Sequence, residues 1–65
     1  MANNAICDLL ESYPISFALA SIVVDGYQQP VTSFTTIDHD RSLAYFNFGG
    51  TTVVADCNKI SLIEI

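Results

Sequence analysis

From Ser33 to Ile65 the chain is a succession of short β-type runs separated by compact turn signals, and the last run ends on the final residue. Val31 to Ile37, Ser42 to Phe48, Thr51 to Ala55 and Lys59 to Ile65 are rich in Val, Ile, Thr, Tyr and Phe, the residues that suit a pleated, half-buried surface. Asp38-His39-Asp40-Arg41, Gly49-Gly50 and Asp56-Cys57-Asn58 interrupt them. A chain that spends its last residues on a strand either closes a small barrel or offers a sheet edge to a neighbour.

The preceding half supplies one helix and one more strand. Ile6, Leu9, Leu10 and Tyr13 form an i, i+3, i+4, i+7 stripe over Ala5 to about Ser12, which predicts an amphipathic helix. Asn3 or Asn4 is placed to cap it. Pro14 ends it, because the residue before a proline is pushed out of the helical region. Ile15 to Val24 is apolar on both faces and closes in the β-branched run Ile22-Val23-Val24, so a strand buried on both sides is expected. Asp25-Gly26 is a hairpin turn signal, and Tyr27 to Pro30 reads as a short polar link. The expected fold is mainly β: a short N-terminal helix followed by a five-stranded, strongly bent antiparallel sheet, a single domain over residues 1–65.

Composition then limits function. The chain has 65 residues, 51% of them hydrophobic and only 14% charged. A domain this short buries about 60% of the surface its unfolded form exposes. That leaves aliphatic surface for copies of itself to cover, so a homo-oligomer is expected. Two basic residues, Arg41 and Lys59, face seven acidic ones, for a net charge of −5. Nucleic-acid affinity comes largely from neutralised phosphates, and one such chain cannot supply the cations. The acidity suits an apolar assembly that must stay soluble.

No nucleophile–base pair has supporting context, so no enzyme activity and no cofactor are expected. The longest apolar stretch is too short to cross a bilayer, and no leader pattern opens the sequence. The chain is therefore read as cytoplasmic, with no membrane partner and with Cys7 and Cys57 as free thiols, a disulfide between the two being the less favoured alternative. No metal site is expected. Asp38, Asp40 and Asp56 could hold a hard cation, but the favoured reading is that each caps a turn. Tyr45, Phe46 and Phe48 are assigned to core or interface packing, whereas Tyr13 and Tyr27 flank turns where a hydroxyl can stay in water.

Two stretches resemble the paired motifs of the Sm-like family. In its first motif a strand ends in an apolar residue and Asp, four residues follow, and Leu opens the next strand. Here Ile37-Asp38 is followed by His39-Asp40-Arg41-Ser42 and Leu43. The apolar frame of the second motif matches Ala55 through Ile60, continuing into Leu62 and Ile63, with Asp56-Cys57 where the family has Arg-Gly. The resemblance implies an Sm-like or SH3-like barrel that joins copies into a ring through its last two strands, with Val53, Ile60 and Leu62 at the seam. It also implies an RNA site built from His39, Asp40, Arg41, Ser42, Asn58 and Lys59. The family's base-stacking position holds Asp40 and its base-bonding Asn position holds Ser42, so RNA binding is expected to be weak. The alternative is an SH3-like adaptor whose acidic turns take a basic protein partner.

Overall fold

The computed structural model describes residues 5–38 and 40–65. The Asn3 or Asn4 cap and the side chain of His39 lie outside them. The described residues are mainly β, with one helix, α1 (Ala5–Glu11), and seven strands: β1 (Phe17–Ala18), β2 (Ser21–Val24), β3 (Tyr27–Pro30), β4 (Ser33–Asp38), β5 (Leu43–Phe48), β6 (Thr51–Asp56) and β7 (Ile60–Glu64). A 3-10 turn, Cys57–Lys59, joins β6 to β7. The strands form two antiparallel sheets, ordered β1-β4-β5-β6 and β3-β2-β7.

The count of seven corrects the expected five, and the reason is bending. The predicted strand Ile15 to Val24 starts only at Phe17. Ser16 has a left-handed φ of 67°, and Ile15 is exposed. The strand then breaks between β1 and β2. Its partner breaks opposite it, so the supposed link Tyr27 to Pro30 is strand β3, with Pro30 at its end registered against Ser21. Backbone bonds carry the pairing across the bend: the Leu19 N–H donates to the Thr32 carbonyl (3.0 Å) and the Val31 N–H to the Ala20 carbonyl (3.2 Å). One long hairpin thus passes from one sheet into the other. Followed through the bend, the order is β7, β2/β1, β3/β4, β5, β6, with β6 and β7 at its ends; at the bend itself, β1 and β3 are also edges of their sheets.

No closed barrel forms. Among the described residues β6 pairs only with β5 and β7 only with β2. The 3-10 turn carries the chain from one sheet to the other without zipping these two strands together.

The turns obey local chemistry. Asp25 and Gly26 have φ of 52° and 80°, and Gly49 and Gly50 of 56° and 86°. Positive φ at both central residues is what a two-residue hairpin matching the strand twist needs. A bulge at Thr35 breaks the expected alternation of β4: Phe34 registers with Phe46, but Thr36 registers with Tyr45. An extra residue on one strand switches the faces that follow, so Phe34 and Ile37 both turn inward although strict alternation would oppose them. A second irregularity in β7 leaves Ser61 out of register between Ile60 and Leu62.

The core lies between the sheets, under α1. It comprises Cys7, Leu10, Leu19, Ile22, Val31, Phe34, Ala44, Phe46, Cys57 and Ile60. The ring of Phe34 meets Phe46 edge-on at 5.9 Å and Tyr13 at 6.2 Å, and Tyr13 stacks on Phe17 at 4.3 Å. Tyr13 is therefore part of the packing, while Tyr27 stays exposed. The helical stripe is rotated from the predicted one. Cys7 and Leu10 are buried, with Ile6 and Tyr13 packed beside them, and Leu9 is 42% exposed.

The rotation has a covalent counterpart. Cys7 and Cys57 are joined in a disulfide with Cα atoms 5.3 Å apart. This corrects the expectation of free thiols. The two cysteines are 50 positions apart and belong to no local motif, so only the packing of α1 against the 3-10 turn brings them together.

Candidate functional site

Apart from His39, which lies outside the described residues, the residues singled out by the family resemblance for an RNA site fall where β4 turns into β5 and β6 turns into β7. Asp38 organises the first turn: its Oδ1 accepts hydrogen bonds from the N–H of Asp40 (3.0 Å) and of Arg41 (3.4 Å). An Asp side chain bonding the backbone two residues ahead holds such a turn closed. Ser42 completes it in the left-handed conformation, φ 55°, and Leu43 then registers with Asp38 across the ladder. Asp56 plays the matching part at the second turn, where its side chain accepts from the N–H of Asn58 at 2.9 Å and caps the 3-10 turn.

The two turns are in direct contact. The Cys57 N–H donates to the Ser42 carbonyl at 2.9 Å, one step beyond the Leu43–Asp56 pair of the β5–β6 ladder. Asp40, Arg41 and Ser42 therefore share one corner with Asn58. Asn58 Oδ1 lies 3.5 Å from the Cys7 sulfur, toward α1.

Lys59 is drawn elsewhere. Its carbonyl accepts from the Asp25 N–H at 3.1 Å, and its Nζ is 4.0 Å from Asp25 Oδ2. Both side chains are largely exposed, so the pair contributes little stability, but it points the ammonium to the β2–β3 hairpin. Sequence reasoning missed Asp25 as the partner of Lys59. No sequence signal marks it, because the contact is made by backbone groups of two turns distant in the chain.

Three carboxylates, from Asp38, Asp40 and Asp56, thus accompany one cation, Arg41, on these two turns, while the second cation, Lys59, lies beside Asp25. A phosphate placed here meets a net negative field. Asp38 and Asp56 each spend a side-chain oxygen on their own turn. Among the described residues no three or more His, Cys, Asp or Glu side chains converge where they could hold a metal ion.

The seam residues separate by burial. Ile60 is fully buried in the chain's own core and Val53 is packed against it, so Ile60 cannot meet a neighbour. Leu62 is 51% exposed on β7, Ile65 is 74% exposed just past its end, and Val54 is 49% exposed on β6. Val54 stands beside Tyr45 on the outward face, in direct register. Of the three expected seam residues Leu62 is thus the most exposed, and Val54 and Ile65 are further exposed aliphatic side chains. Among the described residues no helix is long and apolar enough to cross a membrane.

No protein-family model, curated protein or solved structure matches this chain.

Proposed function

We propose that the chain is a self-assembling scaffold of Sm-like design, in which β6 of one copy adds to β7 of the next. The observation that carries this reading is that, among the described residues, β6 and β7 each pair on one flank only and, unlike the one-sided β1 and β3 at the bend, are the strands at the two ends of the continuous strand order. Both hold exposed aliphatic side chains, Val54 and Leu62, with Ile65 beside them. Unpaired edges seek further strands, and strand addition gains affinity from main-chain bonds and specificity from alternate side chains. The order β7, β2/β1, β3/β4, β5, β6 behind a short helix supports the Sm-like assignment. Because the joined edges differ, each copy uses one of each and the chain of contacts can close into a ring. Light scattering at micromolar concentration is expected to give the mass of several copies. A monomeric mass overturns the reading.

The corner of Asp40, Arg41, Ser42 and Asn58 is the part of this scaffold that would face RNA. Its acidic surroundings support only weak, salt-sensitive association. Filter binding with poly-uridine at physiological salt is expected to show no affinity tighter than micromolar, and nanomolar binding would contradict this. The reading includes no catalytic step.

The same acidity favours a second reading, an adaptor for a basic peptide. Calorimetry with a Lys- and Arg-rich peptide separates the two, since binding to the peptide without poly-uridine binding supports the adaptor. A cytoplasmic location, expected from the sequence, fits poorly with the closed Cys7–Cys57 bond, because disulfides persist in oxidising compartments.

A further inference from the structure

We infer that this chain folds conditionally on oxidation: the Cys7–Cys57 bond, rather than the apolar core alone, decides whether the native state predominates, and the working protein belongs to an oxidising compartment.

Three observations combine. First, the core is ordinary for a very small chain. The accessible surface is 4045 Å², close to the roughly 4,100 Å² expected of a folded protein of 7.1 kDa. Domains near this size sit at the margin of stability and commonly need a covalent or metal staple. Among the described residues ten make up the buried cluster, and the two cysteines are among them.

Second, the bond joins the element with least support of its own. The seven residues of α1 are too few to hold a helix in water. α1 belongs to neither sheet; it rests on β4, β7 and the 3-10 turn, and Leu10 is its one fully buried side chain. The disulfide fastens this cap to the corner from which β6 and β7 diverge.

Third, the cross-link spans 50 of the chain's 65 positions. A loop that long restricts the unfolded ensemble strongly. Cys7 is 8% and Cys57 1% exposed, so a reductant reaches the sulfurs only when the structure opens. The bond is thus protected by the fold that it supports.

Closure is a two-electron oxidation. The two cysteine thiols lose two protons and two electrons to a disulfide donor such as oxidised glutathione. A mixed disulfide forms first, the second thiolate displaces the donor sulfur, and two molecules of reduced glutathione leave.

The test compares the full chain refolded in a glutathione redox buffer with the same chain reduced in denaturant by dithiothreitol and returned to buffer with the reductant present. The oxidised protein is expected to show no titratable thiol and a cooperative circular-dichroism melt. The reduced protein is expected to show two thiols and a Tm lower by about 20 °C, so that the unfolded form dominates near 37 °C. The double variant Cys7→Ala/Cys57→Ala removes the cross-link without burying two free thiols, and it should melt with the reduced protein. A reduced protein or double variant melting within about 5 °C of the oxidised form overturns the inference. So do two titratable thiols in the glutathione-refolded protein. Assembly is not read in this experiment, so its failure is distinct from failure of the scaffold reading.

Discussion

Phe46→Ala is expected to remove about 4 kcal/mol of folding stability and to lower Tm by on the order of 20 °C. Phe46 is completely shielded from solvent at the centre of β5. Its neighbours across the ladders are Phe34 on one side and Val53 on the other, and its ring meets that of Phe34 edge-on. Truncation deletes a large buried apolar surface and leaves a void that the two ladders cannot collapse to fill. It also removes an aromatic pair that adds to the area effect. Phe48, two residues later, is a built-in control. It is 43% exposed at the strand end, so Phe48→Ala is expected to cost less than about 1 kcal/mol. Thermal melts of the two variants on the oxidised protein check the contrast. Equal losses would mean that the packing between the sheets is not as described.

Leu62→Lys is expected to leave the subunit folded and to abolish its assembly. The side chain is half exposed, and it lies on β7 opposite Val23 of β2. Replacing it therefore disturbs little inside one copy, within about 0.5 kcal/mol of wild-type stability. At an interface between strands the same change buries an unpaired ammonium against apolar partners, which is costly, and edge lysines are a common defence against strand addition. The light-scattering mass is expected to fall from that of several copies to that of one while the melting curve is nearly unchanged. Retention of the wild-type mass would place the contact away from β7, and loss of folding would show that Leu62 belongs to the core. Ile60→Lys would not be informative, because Ile60 is sealed inside the subunit and the variant would unfold.

The parts of the fold that were legible in the sequence are those set by neighbours in the chain. The stripe of Ile6, Leu9, Leu10 and Tyr13 and the break at Pro14 place α1, although the buried face takes Cys7 in place of Leu9. Asp25-Gly26 and Gly49-Gly50 place the two tight hairpins, because few residue pairs accept positive φ twice in succession. The alternation of β5 holds, with Ala44 and Phe46 inward and Tyr45 on the outward side. What escaped depends on distant parts of the chain. The bend that divides β1 from β2 falls at Leu19-Ala20, where small and apolar residues fit either one straight strand or two. The bulge at Thr35 depends on the register of β5. The disulfide rests on the docking of α1, and a residue count cannot anticipate that.

The candidate site shows the same division. Asp38 and Asp56 were legible as turn-capping residues, since each bonds a backbone N–H two positions ahead. The junction of the two turns through Cys57 and Ser42 was legible only through the family resemblance. The diversion of Lys59 toward Asp25 had no signal at all. It matters for charge: one of the two cations of the chain lies 4.0 Å from a neighbouring carboxylate.

The bond from Cys7 to Cys57 also governs how damage to this molecule would be seen. Nearly the whole polypeptide, including the Asp25-Gly26 and Gly49-Gly50 tips that a protease would reach first, lies inside one covalent circuit. A single hydrolysis at either tip leaves both fragments attached and adds only the mass of one water. Electrophoresis without reductant would pass such a nicked molecule as intact, and the cut would come to light only when the sulfurs are parted.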